Sequence, residues 1–282
     1  MTVYPFVLRL GPLTLTGYGL MMMVAFLMAG WAMQLDLRRR RLDEEYAADI
    51  VVAGVVGGLV GAKLWYLALT GNLLHPGAWV TRGGFVWYGG FLGAVAAILW
   101  NGHRKGVPGR FTAELCAAPL ALGYAVGRVG CLLVGDDYGI PSSLPWALKF
   151  PQGLPPSTVA ELSNAGVRFP PGTDPMQVVA VHPTQLYETL LMFLAFVWLW
   201  RQRAHGHVVG WLWACYLMFA GAERFLVEFV RAKDDRLIGA FTLAQVTSLG
   251  LVVVGAYLAR RWWEPGPAEA AAPAALGAAR KT

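Results

Sequence analysis

Several charged residues sit where apolar neighbours make charge costly. Arg128 lies inside an apolar run, and Asp136 and Asp137 follow just beyond its end. Arg224 and Glu228 are spaced i, i+4, which puts both on one face of a helix, and Arg231 follows about one turn later. Lys233, Asp234, Asp235 and Arg236 come next, while His182 and Glu188 head another apolar run. An ionised side chain at membrane depth costs roughly 3 kcal/mol or more unless it is paired or hydrated. Two readings account for such a set. Ion pairs can lock helices together, or the residues can line an outward-facing polar chamber at the depth of lipid phosphates. Arginine meets a phosphate with a planar, bidentate fork, so two or three arginines around one point would hold an anionic lipid headgroup.

These groups must be positioned by elements that the composition identifies. Of 282 residues, 56% are hydrophobic and only 14% charged, against about a quarter charged in soluble domains. Several apolar stretches reach the roughly 20 residues that a helix needs to cross a bilayer. The hydropathy predicts an all-α integral membrane protein of seven transmembrane helices with an irregular outer loop region. The expected spans are Leu13–Leu35, Ala47–Leu69, Phe85–Trp100, Thr112–Val134, Thr184–Trp200, Val208–Val227 and Phe241–Ala259. The net charge of +6 does not point to nucleic acid, because the basic residues lie in short clusters between apolar stretches. Arg38 to Arg41, His103 to Lys105 with Arg110, Arg201 with Arg203, and Arg260 with Arg261 occupy every second loop. The positive-inside rule makes those loops cytoplasmic, the N-terminus external and the C-terminus internal.

The longest loop, 135–182, falls on the outer side and is rich in proline, which excludes a long helix there. Loops of this length are functional or disordered as a rule. Residues 264–282 read as a disordered cytoplasmic tail after a membrane domain at 1–263. The start MTVYPFVLRLG lacks the features of a cleaved signal peptide, so the first apolar segment is expected to remain as a span. Cys116, Cys131 and Cys215 are scattered and give neither a disulfide framework nor a zinc site. Glycines 54, 57, 58 and 61 in the second span, and 89, 90 and 93 in the third, fit close helix packing.

The stretch Gly127-Arg128-Val129-Gly130-Cys131-Leu132-Leu133-Val134-Gly135-Asp136-Asp137-Tyr138-Gly139 resembles G-R-x-[GA]-N-F-x-N-x-E-x-x-G, the signature of the prolipoprotein diacylglyceryl transferase family. His182-Pro183-Thr184-Gln185-Leu186-Tyr187-Glu188 is similar to that family's H-P-S-Q-L-Y-E. Tyr18-Gly19, the segment Trp87 to Gly93, the R-x-x-V-E-F-x-R-like segment Arg224 to Arg231, and Gln245 with Ser248 match further elements in family order. The signature is divergent. Cys131 and Val134 replace two asparagines, Asp136 replaces a glutamate, Tyr88 stands for a histidine and Lys63 for an arginine.

The resemblance implies a bacterial inner-membrane enzyme. Such an enzyme moves the diacylglyceryl group of phosphatidylglycerol onto the lipobox cysteine thiol of a prolipoprotein signal peptide, leaving a thioether and glycerol phosphate. Its partners are phosphatidylglycerol, prolipoproteins and membrane lipid; no cofactor, metal or nucleic acid is implied. The phosphate falls to Arg128 and Arg224 with Arg231 in support, and Glu228 orients an arginine. Asp136 is a candidate for the thiol proton, although an arginine-paired carboxylate is a poor base. Tyr88 has a hydrogen-bonding role, since free tyrosine titrates near 10. His182 is either an acid–base group or structural. Tyr18, Gly139, Gln185 and Glu188 complete the expected substrate-binding set, and Cys131 is a packing residue. The alternative is a divergent relative that binds anionic lipid but uses another acceptor, or is inactive. A retinal protein is disfavoured because the last span holds no lysine, and no inverted repeat supports a transporter.

Overall fold

The computed structural model describes residues 1–11, 13–81, 83–232, 236–238, 241–265 and 273–277. Lys233, Asp234 and Asp235, and residues 266–272 and 278–282 of the expected tail, lie outside the described residues. Away from water, a peptide group must find its hydrogen bond inside its own segment, so long apolar runs become helices. In chain order the helices are α1 Gly17–Arg39, α2 Glu45–Leu69, the short α3 Pro76–Trp79, α4 Trp87–Arg104, α5 Gly109–Val134, the short α6 Val159–Asn164, α7 Thr184–Gln202, α8 Trp211–Glu228 and α9 Leu243–Arg261. Four of them, α1, α2, α5 and α9, are long and apolar enough to cross a membrane. The helices α4, α7 and α8 run 18, 19 and 18 residues; α8 carries Glu223, Arg224 and Glu228 within that length.

Two expected span ends are strands instead. Leu13–Thr16 (β2) pairs antiparallel with Val7–Leu10 (β1), so the first helix starts at Gly17. The segment LTLT alternates with period two, which suits a strand rather than a helix, and Gly11 at φ +60° turns the hairpin. Phe241–Thr242 (β4) pairs with Arg236–Ile238 (β3). Helix α9 then starts at Leu243 behind a capping box, in which Thr242 Oγ1 accepts from Gln245 N and Gln245 Oε1 accepts from Thr242 N, both at 3.1 Å.

The chain divides into two compact units, with boundaries inside α1 and α5. The first comprises 1–29, 117–205 and 211–264. In it α8 packs on α7 and α9, around a core that includes Ala121, Met192, Leu199, Leu212 and Cys215. The start of α1 lies close on α5: a Cβ added at Gly130 would sit 3.2 Å from Tyr18 Cα. The long loop at 135–182 is ordered. It has its own small core of Tyr138, Leu148, Phe150, Leu162 and Val181, and Leu148 and Val181 exchange backbone hydrogen bonds at 3.1 and 2.8 Å. Thr158 caps α6 by accepting from Glu161 N.

The second unit comprises 30–116, 206–210 and 265–282. There α2 meets α4 through glycines: side chains at Gly57, Gly61, Gly89 or Gly93 would collide with the facing backbone. Van der Waals contact and small residues drive such packing in lipid. Within the expected tail, Ala274–Leu276 forms a single 3-10 turn. Leu276 is buried with Leu42, Val107 and Phe111, and its carbonyl accepts from Asp43 N at 3.1 Å.

Candidate functional site

The first unit gathers three arginines around three carboxylates. Arg128 lies in α5 six residues before its end, Glu188 in α7 four residues after its start, and Arg224 in α8 four residues before its end. At 1.5 Å per residue each is about 6–9 Å inside a helix terminus. Arg128 uses its fork on several groups: Nη1 donates to Asp137 Oδ2 at 2.9 Å and to Cys131 Sγ at 3.3 Å, while Nη2 pairs with Glu188. Arg231 Nη2 donates to Asp137 Oδ1 at 2.8 Å, and Nη1 lies 3.7 Å from Glu188 Oε1. Arg224 Nη2 pairs with Glu228 Oε2 at 2.7 Å, and Arg231 Nε lies 3.8 Å from that same oxygen. Thr242 Oγ1 donates to Glu228 Oε1 at 3.0 Å, which fixes the carboxylate from the α9 side.

The loop after α5 places Asp137. Gly135 at φ +70° ends the helix, and Asp137 itself adopts φ +56°, unusual for a side-chain residue. Thr184 Oγ1 donates to Asp137 O, and Gln185 Nε2 donates to Asp136 O, both at 2.5 Å. Gly139 N donates to His182 O at 2.9 Å, and Ile140 N donates to Val230 O at 2.9 Å. A side chain at Gly139 would run into the Val230 carbonyl, so this crossing needs glycine.

The expected residues thus divide. Arg128, Arg224, Arg231, Glu188 and Glu228 come together. The bridging carboxylate is Asp137 rather than Asp136, because the turn at Gly135 aims Asp137 at the guanidiniums. Burial holds the Asp136 carboxyl above its ordinary range. Burial acts the same way on Asp137, but the charges of Arg231 and Arg128 outweigh it and hold that carboxyl below the ordinary range. Gln185 is fully buried and Gly139 is buried, and both hold the loop through the hydrogen bonds just described. His182 Nδ1 lies 3.2 Å from the Tyr187 hydroxyl, which also accepts from Trp146 Nε1 at 2.8 Å. Partial burial lowers the His182 titration point. Tyr18 is exposed beside the site, within electrostatic reach of Cys131, Asp136 and Arg128.

Two expected positions belong to the second unit. Tyr88 is in the first turn of α4 and exposed. Lys63 is buried, and its Nζ donates to Thr81 O, Thr81 Oγ1 and Gly83 O at 3.0, 2.8 and 2.9 Å. Sequence reasoning missed Glu223, a buried residue of α8 next to Arg224; its apolar surroundings were the available signal. Donor atoms of Cys131, Asp136 and Asp137 lie within 4.8 Å of one another. Both Asp137 oxygens are already taken by arginines, which leaves fewer ligands than a closed metal site needs.

Fold and site define a helical membrane protein with three arginines and three carboxylates clustered near its helix ends. The chain matches the family model described as prolipoprotein diacylglyceryl transferase over residues 5–261. It is 31% identical over 280 residues to a curated protein of Photobacterium profundum, covering 91% of this chain and 92% of that one. A Stenotrophomonas maltophilia protein is 32% identical over 270 residues (90% of each chain), and one of Thermosynechococcus vestitus 31% over 268 (92% and 93%). All three are named phosphatidylglycerol–prolipoprotein diacylglyceryl transferase. The chain belongs to the prolipoprotein diacylglyceryl transferase family.

Proposed function

We propose that this chain transfers the diacylglyceryl group of phosphatidylglycerol to the lipobox cysteine thiol of prolipoproteins, forming a thioether and releasing glycerol phosphate. The observation that carries the reading is the Asp137 bridge. Two carboxylate oxygens span Arg128 and Arg231 at 2.9 and 2.8 Å, a spacing suited to two oxygens of a phosphodiester. Asp137 is also the most exposed acid of the three, its side chain 42% accessible against 1% for Glu188 and Glu228. An arriving phosphate can take its place on the two guanidiniums while Glu188 and Glu228 keep them oriented.

Charge develops on the phosphate as the carbon–oxygen bond breaks, and preorganised cations stabilise it. Arg128, Arg224 and Arg231 supply them. The thiol reacts as thiolate, and Asp136, free of arginine contact among the described residues, is the candidate acceptor of its proton. His182 has a structural role with Tyr187 and Trp146, and Tyr18 contacts substrate through its hydroxyl. The same reading places seven helices (α1, α2, α4, α5, α7, α8 and α9) across a bacterial inner membrane, with the N-terminus outside. Four helices long and apolar enough to cross and basic clusters on alternate loops support it. The membership of the chain does not favour the alternative of an inactive relative or one with another acceptor.

The test is transfer of labelled diacylglyceryl from phosphatidylglycerol vesicles to a lipobox peptide by wild-type and Arg231→Ala protein. The reading predicts product with the wild type and a large loss with the variant. Full activity without Arg231 would remove the bridge from the site.

A further inference from the structure

Glu223 is the one member of this cluster without a task. It is 5% exposed, sits about five residues inside the end of α8, and makes no hydrogen bond or ion pair with any described residue. Its Oε1 is buried with no polar partner. A polar group in that state costs about 1–3 kcal/mol, so a purely packing position is better filled by a hydrocarbon. The groups facing it electrostatically are Arg224 on its own helix, Arg128 and Tyr124 from α5, Glu188 from α7, and Arg231 from the segment after α8. Helix α9, also packed on α8, has no titratable residue before Tyr257.

The charges explain what such a group can do. Three guanidiniums are matched by three carboxylates, Asp137, Glu188 and Glu228. Each guanidinium is therefore already paired before substrate arrives, and no cation is left for the second negative charge that a phosphate gains on leaving. A proton can supply the balance. Carboxyls held by arginine hold protons poorly, and Glu223 is not so held.

We propose that Glu223 is the acid that protonates the departing phosphate. The proposal rests on the arginine site described above. The thiol gives its proton to a base, and the thiolate sulfur forms a bond to the glycerol carbon. The carbon–oxygen bond breaks with its electron pair going to the phosphate oxygen, and the Glu223 carboxylic acid passes its proton to that phosphate. The base releases the thiol proton to water and Glu223 takes one up from water, so both groups are restored and the net change is one thiol proton delivered to glycerol phosphate.

The experiment measures kcat, KM and the pH–rate profile of Glu223→Gln and Glu223→Asp in nanodiscs, with phosphatidylglycerol and a lipobox peptide. Removing a general acid costs about 10²- to 10⁴-fold in rate. Glu223→Gln, which keeps shape but has no acid proton, is expected to lose kcat on that scale with KM for phosphatidylglycerol unchanged. The wild type is expected to lose rate as pH rises, and Glu223→Gln is expected to lack that alkaline limb. Glu223→Asp retains that alkaline limb at reduced kcat, and it carries the test alone if Glu223→Gln does not insert. A Glu223→Gln enzyme with wild-type kcat, or a Glu223→Asp enzyme without an alkaline limb, overturns the proposal. Phosphatidylglycerol binding to Arg128→Ala is measured in parallel: unchanged binding there sinks the arginine site itself, a failure distinct from any result at Glu223.

Discussion

Arg128→Lys separates charge from geometry at the centre of the cluster. The native fork reaches Asp137 at 2.9 Å and Cys131 at 3.3 Å through Nη1, and Glu188 through Nη2. A lysine keeps the charge, but its single ammonium cannot reproduce a planar fork that faces two carboxylates. The side chain is only 12% exposed, so water does not make good the missing contact. Losing one charge-assisted hydrogen bond costs about 1.5–3 kcal/mol. At about 1.4 kcal/mol per factor of ten, transfer should fall roughly 10- to 150-fold. The assay is the initial rate of diacylglyceryl transfer from phosphatidylglycerol vesicles to a lipobox peptide, normalised to inserted protein with an unchanged unfolding temperature. A lysine enzyme working at the wild-type rate would show that the fork is not used, and the phosphate assignment would go with it.

Other substitutions probe separate parts of the account. Arg128→Ala abolishes transfer and also lowers the unfolding temperature, because it strands the buried Glu188 charge at a cost of about 3–5 kcal/mol. Tyr88→Phe lowers transfer by no more than roughly tenfold, since losing one neutral hydrogen bond costs about 0.5–1.5 kcal/mol; a dead but well-inserted Phe variant would give the hydroxyl an acid–base role. Asp137 is held below the ordinary carboxylate range. Its contribution to stability is present above the unfolded value near 4 and is lost as pH falls through the lower folded value. With a 42% exposed side chain that contribution is about 1 kcal/mol after screening. Asp137→Asn should remove this acid-side loss in a thermal melt series, whereas persistence of the full acid transition would assign it elsewhere. Gly139→Ala, driven into the Val230 carbonyl, should cost about 1–3 kcal/mol of stability, read as a lower unfolding temperature.

The helices were legible because length and hydropathy are properties of a segment taken alone. Each of the seven expected spans contains or overlaps a helix, and Arg224 and Glu228 pair as their i, i+4 spacing requires. What the sequence hid depends on the turns. Leu13 and Leu15 counted toward a span although they alternate with threonines in a hairpin. Adjacent aspartates at 136 and 137 cannot be ranked by spacing; the backbone at Gly135 and Asp137 decides which one meets the arginines. Gln185 looks like a substrate ligand in a motif, and only the fold shows that its Nε2 holds the Asp136 carbonyl. Glu223 escaped notice beside Arg224, since only packing reveals that a carboxyl next to an arginine need not pair with it.

The central claim is that this chain moves diacylglyceryl from phosphatidylglycerol to a cysteine thiol even though Cys131 and Val134 stand where the family signature has asparagine. The most direct measurement gives purified protein labelled phosphatidylglycerol and two lipobox peptides, one with cysteine and one with serine at the acceptor position. The account predicts a thioether-linked product with the cysteine peptide only. No product with either peptide, from folded protein that still binds the lipid, would contradict it.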